Sequence, residues 1–296
     1  MPLPLAGYAL RSERQRASTY IEAPGPLRIW HLASLDAPTV AVVWSLSFAQ
    51  AAGVHLPLWV PALIALGTWF VYVGDRILDA WRALGTGKIE TLRERHFFQW
   101  RHRRVLIPLA VGAALASAAI IFGVMPPTLR QRDSVLAVAA VAYFSGIHVP
   151  GARPQWFGRL RSKEFLVGVL FTAGCALPTL TRLHGLARNG VPFALALLVM
   201  SGFAALAWLN CAAIDRWEAG GESAVESPAK QLAAGAVVLA LASVPILPRL
   251  SMLSAACAGS ALLLALLDRR RDRLTPLALR CAADLVLLVP VFCLVG

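Results

Sequence analysis

The sequence predicts an all-α, polytopic membrane protein with nine transmembrane helices and a cytoplasmic N-terminus. Three observations predict it. The 296 residues are 58% hydrophobic and only 15% charged, against about 25% charged in an ordinary soluble domain. Several apolar runs approach the roughly 20 residues that a spanning helix needs. The basic residues fall in the gaps between those runs, so a net charge of +12 reads as lipid-headgroup contact and orientation and not as nucleic-acid binding.

Residues 1–36 read as a cytoplasmic tail ending in a short interfacial helix at 26–36, and residues 37–296 as the membrane domain. The first ten residues are short and Pro-rich for a signal-peptide core, with Arg11, Arg14 and Arg16 after them, so the first span is expected to target the chain itself. Asp36 followed by Pro38 suits a helix junction. The spans are expected near 37–55, 58–80, 105–125, 134–150, 164–181, 191–214, 232–248, 251–267 and 276–295. Breaks fall at Pro57, Pro126-Pro127, Pro150, Pro228 and Pro248. With nine spans, 21 of the 28 Lys and Arg residues lie in the tail and the loops on its side, and five in the alternate loops. That bias puts the N-terminus and these loops in the cytoplasm, and an even span count would break it. The plasma (cytoplasmic) membrane is the expected location. The five cysteines all lie in apolar runs without a C-x-x-C spacing, which gives neither a disulfide framework nor a zinc site.

Acidic residues at membrane depth are costly, by at least about 2.5–3.5 kcal/mol, and read as functional by default. Two clusters stand out. Asp75 and Asp79 are four apart and share a helix face. Asp215 and Glu218 are three apart and share another. Like charges this close persist best with a cation between them. Each cluster closes the second span of a four-span set with Asp-Arg, an acid and Ala, a weak internal repeat. Facing one another, the four carboxylates would suit Mg²⁺, which takes one or two carboxylates plus waters and phosphates. Local pairing of Asp79 with Arg76 and Arg82 is the alternative. Basic loops supply phosphate candidates, foremost Arg161 and Lys163, which stand beside Glu164 at a span start. Arg280 and Asp284, four apart in the last span, read as an intramembrane ion pair.

At these clusters the sequence resembles the UbiA superfamily of intramembrane prenyltransferases. That family has nine transmembrane helices with Asp-rich motifs at the cytoplasmic ends of the second and sixth. Asp75-Arg76-Ile77-Leu78-Asp79-Ala80 resembles the second half of the first motif, N-D-x-x-D-x-x-x-D, and Val71 and Tyr72 stand where its Asn and Asp would be. Asp215-Arg216-Trp217-Glu218 resembles the second motif with Glu for Asp. The resemblance implies Mg²⁺-dependent transfer of a prenyl group from an isoprenoid diphosphate to an aromatic or lipid acceptor within the bilayer. Asp75, Asp79, Asp215 and Glu218 would be catalytic and metal-binding. Asn210, Arg76, Arg161, Lys163, Arg216 and Tyr72 would bind substrate. Tyr72, Trp69, Trp208 and Phe203 are the aromatic candidates for facing an allylic cation or the acceptor. A repurposed relative binding a lipid or quinone is the alternative that Val71 and Tyr72 motivate. A secondary transporter is a third reading, against which the acids sit at one membrane face.

Overall fold

The computed structural model describes residues 21–89, 92–135, 138, 163–183, 191–219 and 225–295. It is helical throughout, with α1 (Gly25–Leu32), α2 (Asp36–Ala51), α3 (Trp59–Thr86), α4 (Glu94–Arg101), α5 (Arg103–Gly123), α6 (Lys163–Leu180), α7 (Val191–Glu218), α8 (Glu226–Ser243), α9 (Pro248–Arg270), α10 (Pro276–Val286) and α11 (Val291–Val295). Among the described residues, five stretches are long and apolar enough to cross a membrane: α3, α5, most of α7, α9 with the turn after it, and Pro276–Leu294. The bent pair α1–α2 makes a sixth if it is one span. Each predicted span except 134–150 and 276–295 overlaps mainly one helix, and 276–295 divides between α10 and α11; most of 134–150 lies outside the described residues.

Helix ends follow local chemistry. α3 runs for 28 residues and stops at Gly87, whose φ of 72° is the left-handed conformation that a side chain resists. α10 begins where the Thr275 hydroxyl accepts from the Ala278 amide at 3.2 Å, with Pro276 in the first turn. Pro248 was expected to close a span. It opens α9 instead, where its missing N–H removes nothing from the helix.

The core gathers α2, α7, α8 and α9. Trp44 stacks on Phe203 at 3.8 Å between ring centroids, with Phe48 at their edge. α8 lays its alanines Ala229, Ala233, Ala236 and Ala240 into the buried interior, and packs most extensively on α9. Such small residues let backbones approach where no hydrophobic effect drives association. α6 meets the backbone of α7 closely at Gly168. α5 turns Val105, Ile107, Leu109, Val111, Leu115 and Phe122 outward, the apolar exposure a lipid-facing helix has.

Two breaks in helical backbone shape the interior. The first is the 87° elbow between α1 and α2. α1 docks on α4 and α10 and buries His31 and Leu32. The second lies between α10 and α11, inside the predicted last span. There the Leu287 carbonyl accepts from the Trp44 indole at 2.8 Å, and the Pro290 carbonyl lies 3.5 Å from the Ser47 hydroxyl. Unwound backbone survives at membrane depth only where protein groups satisfy it.

Candidate functional site

The elbow creates the need that the site fills. A helix end leaves carbonyls short of helical partners, and here those of His31, Leu32 and Ala33 accept side-chain bonds, His31 accepting also from the Ser34 amide at 3.0 Å. Ser34 turns the chain with φ of 61° and is fully buried. Arg76 of α3 donates to the His31 carbonyl at 2.9 Å and to the Ser34 hydroxyl at 2.8 Å. Gln99 of α4 donates to the Leu32 carbonyl at 2.8 Å and to Ser34 Oγ at 3.0 Å. Trp69 donates to the Ala33 carbonyl at 2.9 Å. The second guanidinium nitrogen of Arg76 lies 3.5 Å from Asp36 Oδ2. His31 Nδ1 lies 2.5 Å from that same oxygen and 3.4 Å from Asp284 Oδ2. Tyr72 stands within electrostatic reach of Asp36, Asp284 and Cys211.

A second cluster sits at the polar end of the bundle. α4 follows α3 and lies against it, and it carries two arginines to the end of α7. Arg95 Nη1 donates to Glu218 Oε1 at 3.0 Å; Arg93 Nη2 donates to the Glu218 backbone carbonyl at 3.2 Å, with its Nε 3.5 Å from Oε2. Arg280 of α10 completes the set as a third partner of the same carboxylate. Three cations around one acid leave a surplus of positive charge. Burial, and then the charge of Arg280, push the Arg95 guanidinium down to about 9. Burial and the charges of Arg95, Arg76 and Arg280 lower the neighbouring His96 to about 3. The neutral ring suits its place, because His96 Nδ1 accepts from the Arg93 amide at 3.0 Å and so closes the first turn of α4.

The predicted acids meet this arrangement unevenly. Asp75 and Asp79 are half-buried on α3, and Asp79 lines a cleft of about 330 Å³ with Arg82, Thr86, Lys88 and His96. Asp215 and Arg216 are exposed on α7. Among the described residues the only group of three or more acids, histidines or cysteines close enough to share an ion is His31, Asp36 and Asp284. The four predicted carboxylates form no such group. Glu218 is held by arginines, and the expected Arg280–Asp284 pair is split, Arg280 going to Glu218 and Asp284 to His31.

Other candidates are placed as follows. Asn210 is buried, with no hydrogen-bond partner for Oδ1 among the described residues. Arg76 serves the elbow. Of the four aromatics, Phe203 belongs to the core stack and Trp69 holds the elbow. Trp208 packs edge-on against Phe165, leaving Tyr72 beside the buried acids. Arg161 and the side chain of Lys163 lie outside the described residues. Sequence reasoning named the stretch Arg93 to Arg104 as a phosphate clamp, but missed His31, Ser34, Asp36 and Gln99 as site residues. The available signal was a polar Gln99 in a short helix whose neighbours are arginines. No protein-family model, curated protein or solved structure matches the chain.

Proposed function

We propose that this chain is a nine-span, N-inside prenyltransferase of the UbiA kind, taking an isoprenoid diphosphate where α3 and α7 end. One observation carries the reading: α4 joins the acidic ends of these helices, and Arg93 and Arg95 at its start, with Arg280 of α10, surround a single carboxylate. Surplus arginine beside an apolar bundle suits an amphiphile with a multiply charged anionic head.

Mg²⁺ does not fit all four predicted carboxylates in this arrangement, because Glu218 is engaged by arginines and the four do not converge. It fits the Asp75–Asp79 face, since one or two carboxylates suffice when substrate phosphates complete the shell. Held there, it would neutralise the diphosphate as a leaving group. The chain's own groups do the rest. Arg93, Arg95 and Arg280 bind phosphate oxygens, and Glu218 keeps the three guanidinium groups gathered until substrate arrives. The carbon–oxygen bond breaks to diphosphate and an allylic cation; the acceptor attacks the cation and gives up a proton. Tyr72 faces the cation, and apolar walls exclude water.

The test is diphosphate release by protein in lipid nanodiscs given Mg²⁺, a radiolabelled prenyl diphosphate and aromatic or lipid acceptors. Asp75→Ala and Asp79→Ala are expected to lower turnover at least about a hundredfold. Equal turnover in both variants and the parent rejects the site. A second reading, binding of the same lipid without turnover, is favoured by the arginine clasp on Glu218. It expects saturable binding of the prenyl diphosphate with no diphosphate released.

A further inference from the structure

His31, Asp36 and Asp284 come from three elements, α1, α2 and α10, and meet inside the bundle. Their ligand atoms lie within 4.8 Å of one another. Two carboxylates at this separation repel unless a cation lies between them. Asp36 is held ready for such a role. Its Oδ1 accepts from the Ala37 amide at 2.9 Å and its Oδ2 has Arg76 at 3.5 Å, leaving Oδ2 directed at the cluster. These are the outer contacts that orient a metal-binding carboxylate. The His31 ring is 1% exposed, and neither ring nitrogen makes a hydrogen bond of acceptable geometry. Its Nδ1 nevertheless lies between the two carboxylate oxygens. Asp284 is 19% exposed, so the cluster is reachable.

We infer that His31, Asp36 and Asp284 form a site for a divalent transition-metal cation, separate from the acidic ends of α3 and α7. One imidazole nitrogen with two carboxylate oxygens suits Mn²⁺, Fe²⁺ or Zn²⁺ better than Mg²⁺ or Ca²⁺, which take oxygen alone. The inference stands whether or not the chain transfers prenyl groups.

The experiment uses the full chain in nanodiscs, stripped with a chelator and titrated with Mn²⁺ under electron paramagnetic resonance. One ion per chain is expected, with nitrogen hyperfine coupling from the imidazole. Asp284→Asn is expected to weaken binding more than about tenfold, since even an outer contact is worth that much. His31→Gln is expected to abolish the nitrogen coupling. An Asp75→Asn/Asp79→Asn double variant should keep both the ion and the coupling. Saturating Mn²⁺ should raise the thermal midpoint of the parent but not of Asp284→Asn. Absence of bound Mn²⁺ from monodisperse parent protein overturns the site, as does a bound ion without nitrogen coupling. Loss of the ion in the double variant overturns it too, and assigns the metal to α3. The parent's stoichiometry and coupling decide the matter even if a variant fails to fold.

Discussion

His96 and Arg76 show how single residues serve this fold. His96 has its folded value depressed to about 3, so it stays neutral when folded, while the unfolded chain takes up a proton below about 6.5. The unfolded state therefore binds more protons between these values, and stability falls as the pH drops through that window. A His96→Gln variant is expected to lose about 1–2 kcal/mol less than the parent between pH 7 and pH 5, read as the pH dependence of the thermal midpoint in detergent. Arg76 is buried and serves a carbonyl, a hydroxyl and Asp36. Arg76→Leu removes the cation and strands these groups, at an expected cost of about 3–5 kcal/mol measured by unfolding in a denaturing detergent. The sequence offered Asp79 as its neighbour on the same helix. The real partners lie forty or more positions earlier, because an elbow between α1 and α2 exposes carbonyls that a long guanidinium can reach. Nothing in the spacing of Asp75, Arg76 and Asp79 encodes that elbow.

At the scale of helices, the α6–α7 contact depends on Gly168. A Cβ there would stand 2.9 Å from the Trp208 amide nitrogen and 3.1 Å from the Ala204 carbonyl oxygen, both backbone atoms that cannot swing away. Gly168→Ala should push the helices apart and cost about 1–3 kcal/mol, seen as a lower unfolding midpoint. Where the helices run was largely legible, since apolar length and proline breaks report on the bilayer directly. Two kinds of feature were not. Pro248 marks a boundary without saying which side of it is helical, and it proved to start α9. The interruption of the last span at Leu287–Pro290 reads in sequence as continuous apolar residues. Trp44 and Ser47, far away in the chain, reach its carbonyls.

For the whole molecule, the proposed orientation has a direct measurement. Leu58 opens one end of α3 and is 88% exposed, while Ala219 is exposed at the far end of α7. In a background without the five native cysteines, Ala219→Cys should react with an impermeant maleimide only in inverted vesicles, and Leu58→Cys only in intact cells. The reverse pattern would put the arginine cluster outside. The candidate site was half legible for a related reason. Its acids could be picked out because charge is scarce in this chain, but which arginine meets which acid is decided by how α4 folds back, and Glu218 drew three of them. The bond from Trp44 to Leu287 spans 243 residues and bears on biosynthesis. While the ribosome is still making the chain, the indole of an early segment waits without its acceptor, and only elongation past Leu287 can supply it. Chains stopped before Leu287 should therefore remain incompletely assembled and be degraded faster in a pulse-chase than full-length chains. Equal lifetimes would show that the early segments settle without their distant partner.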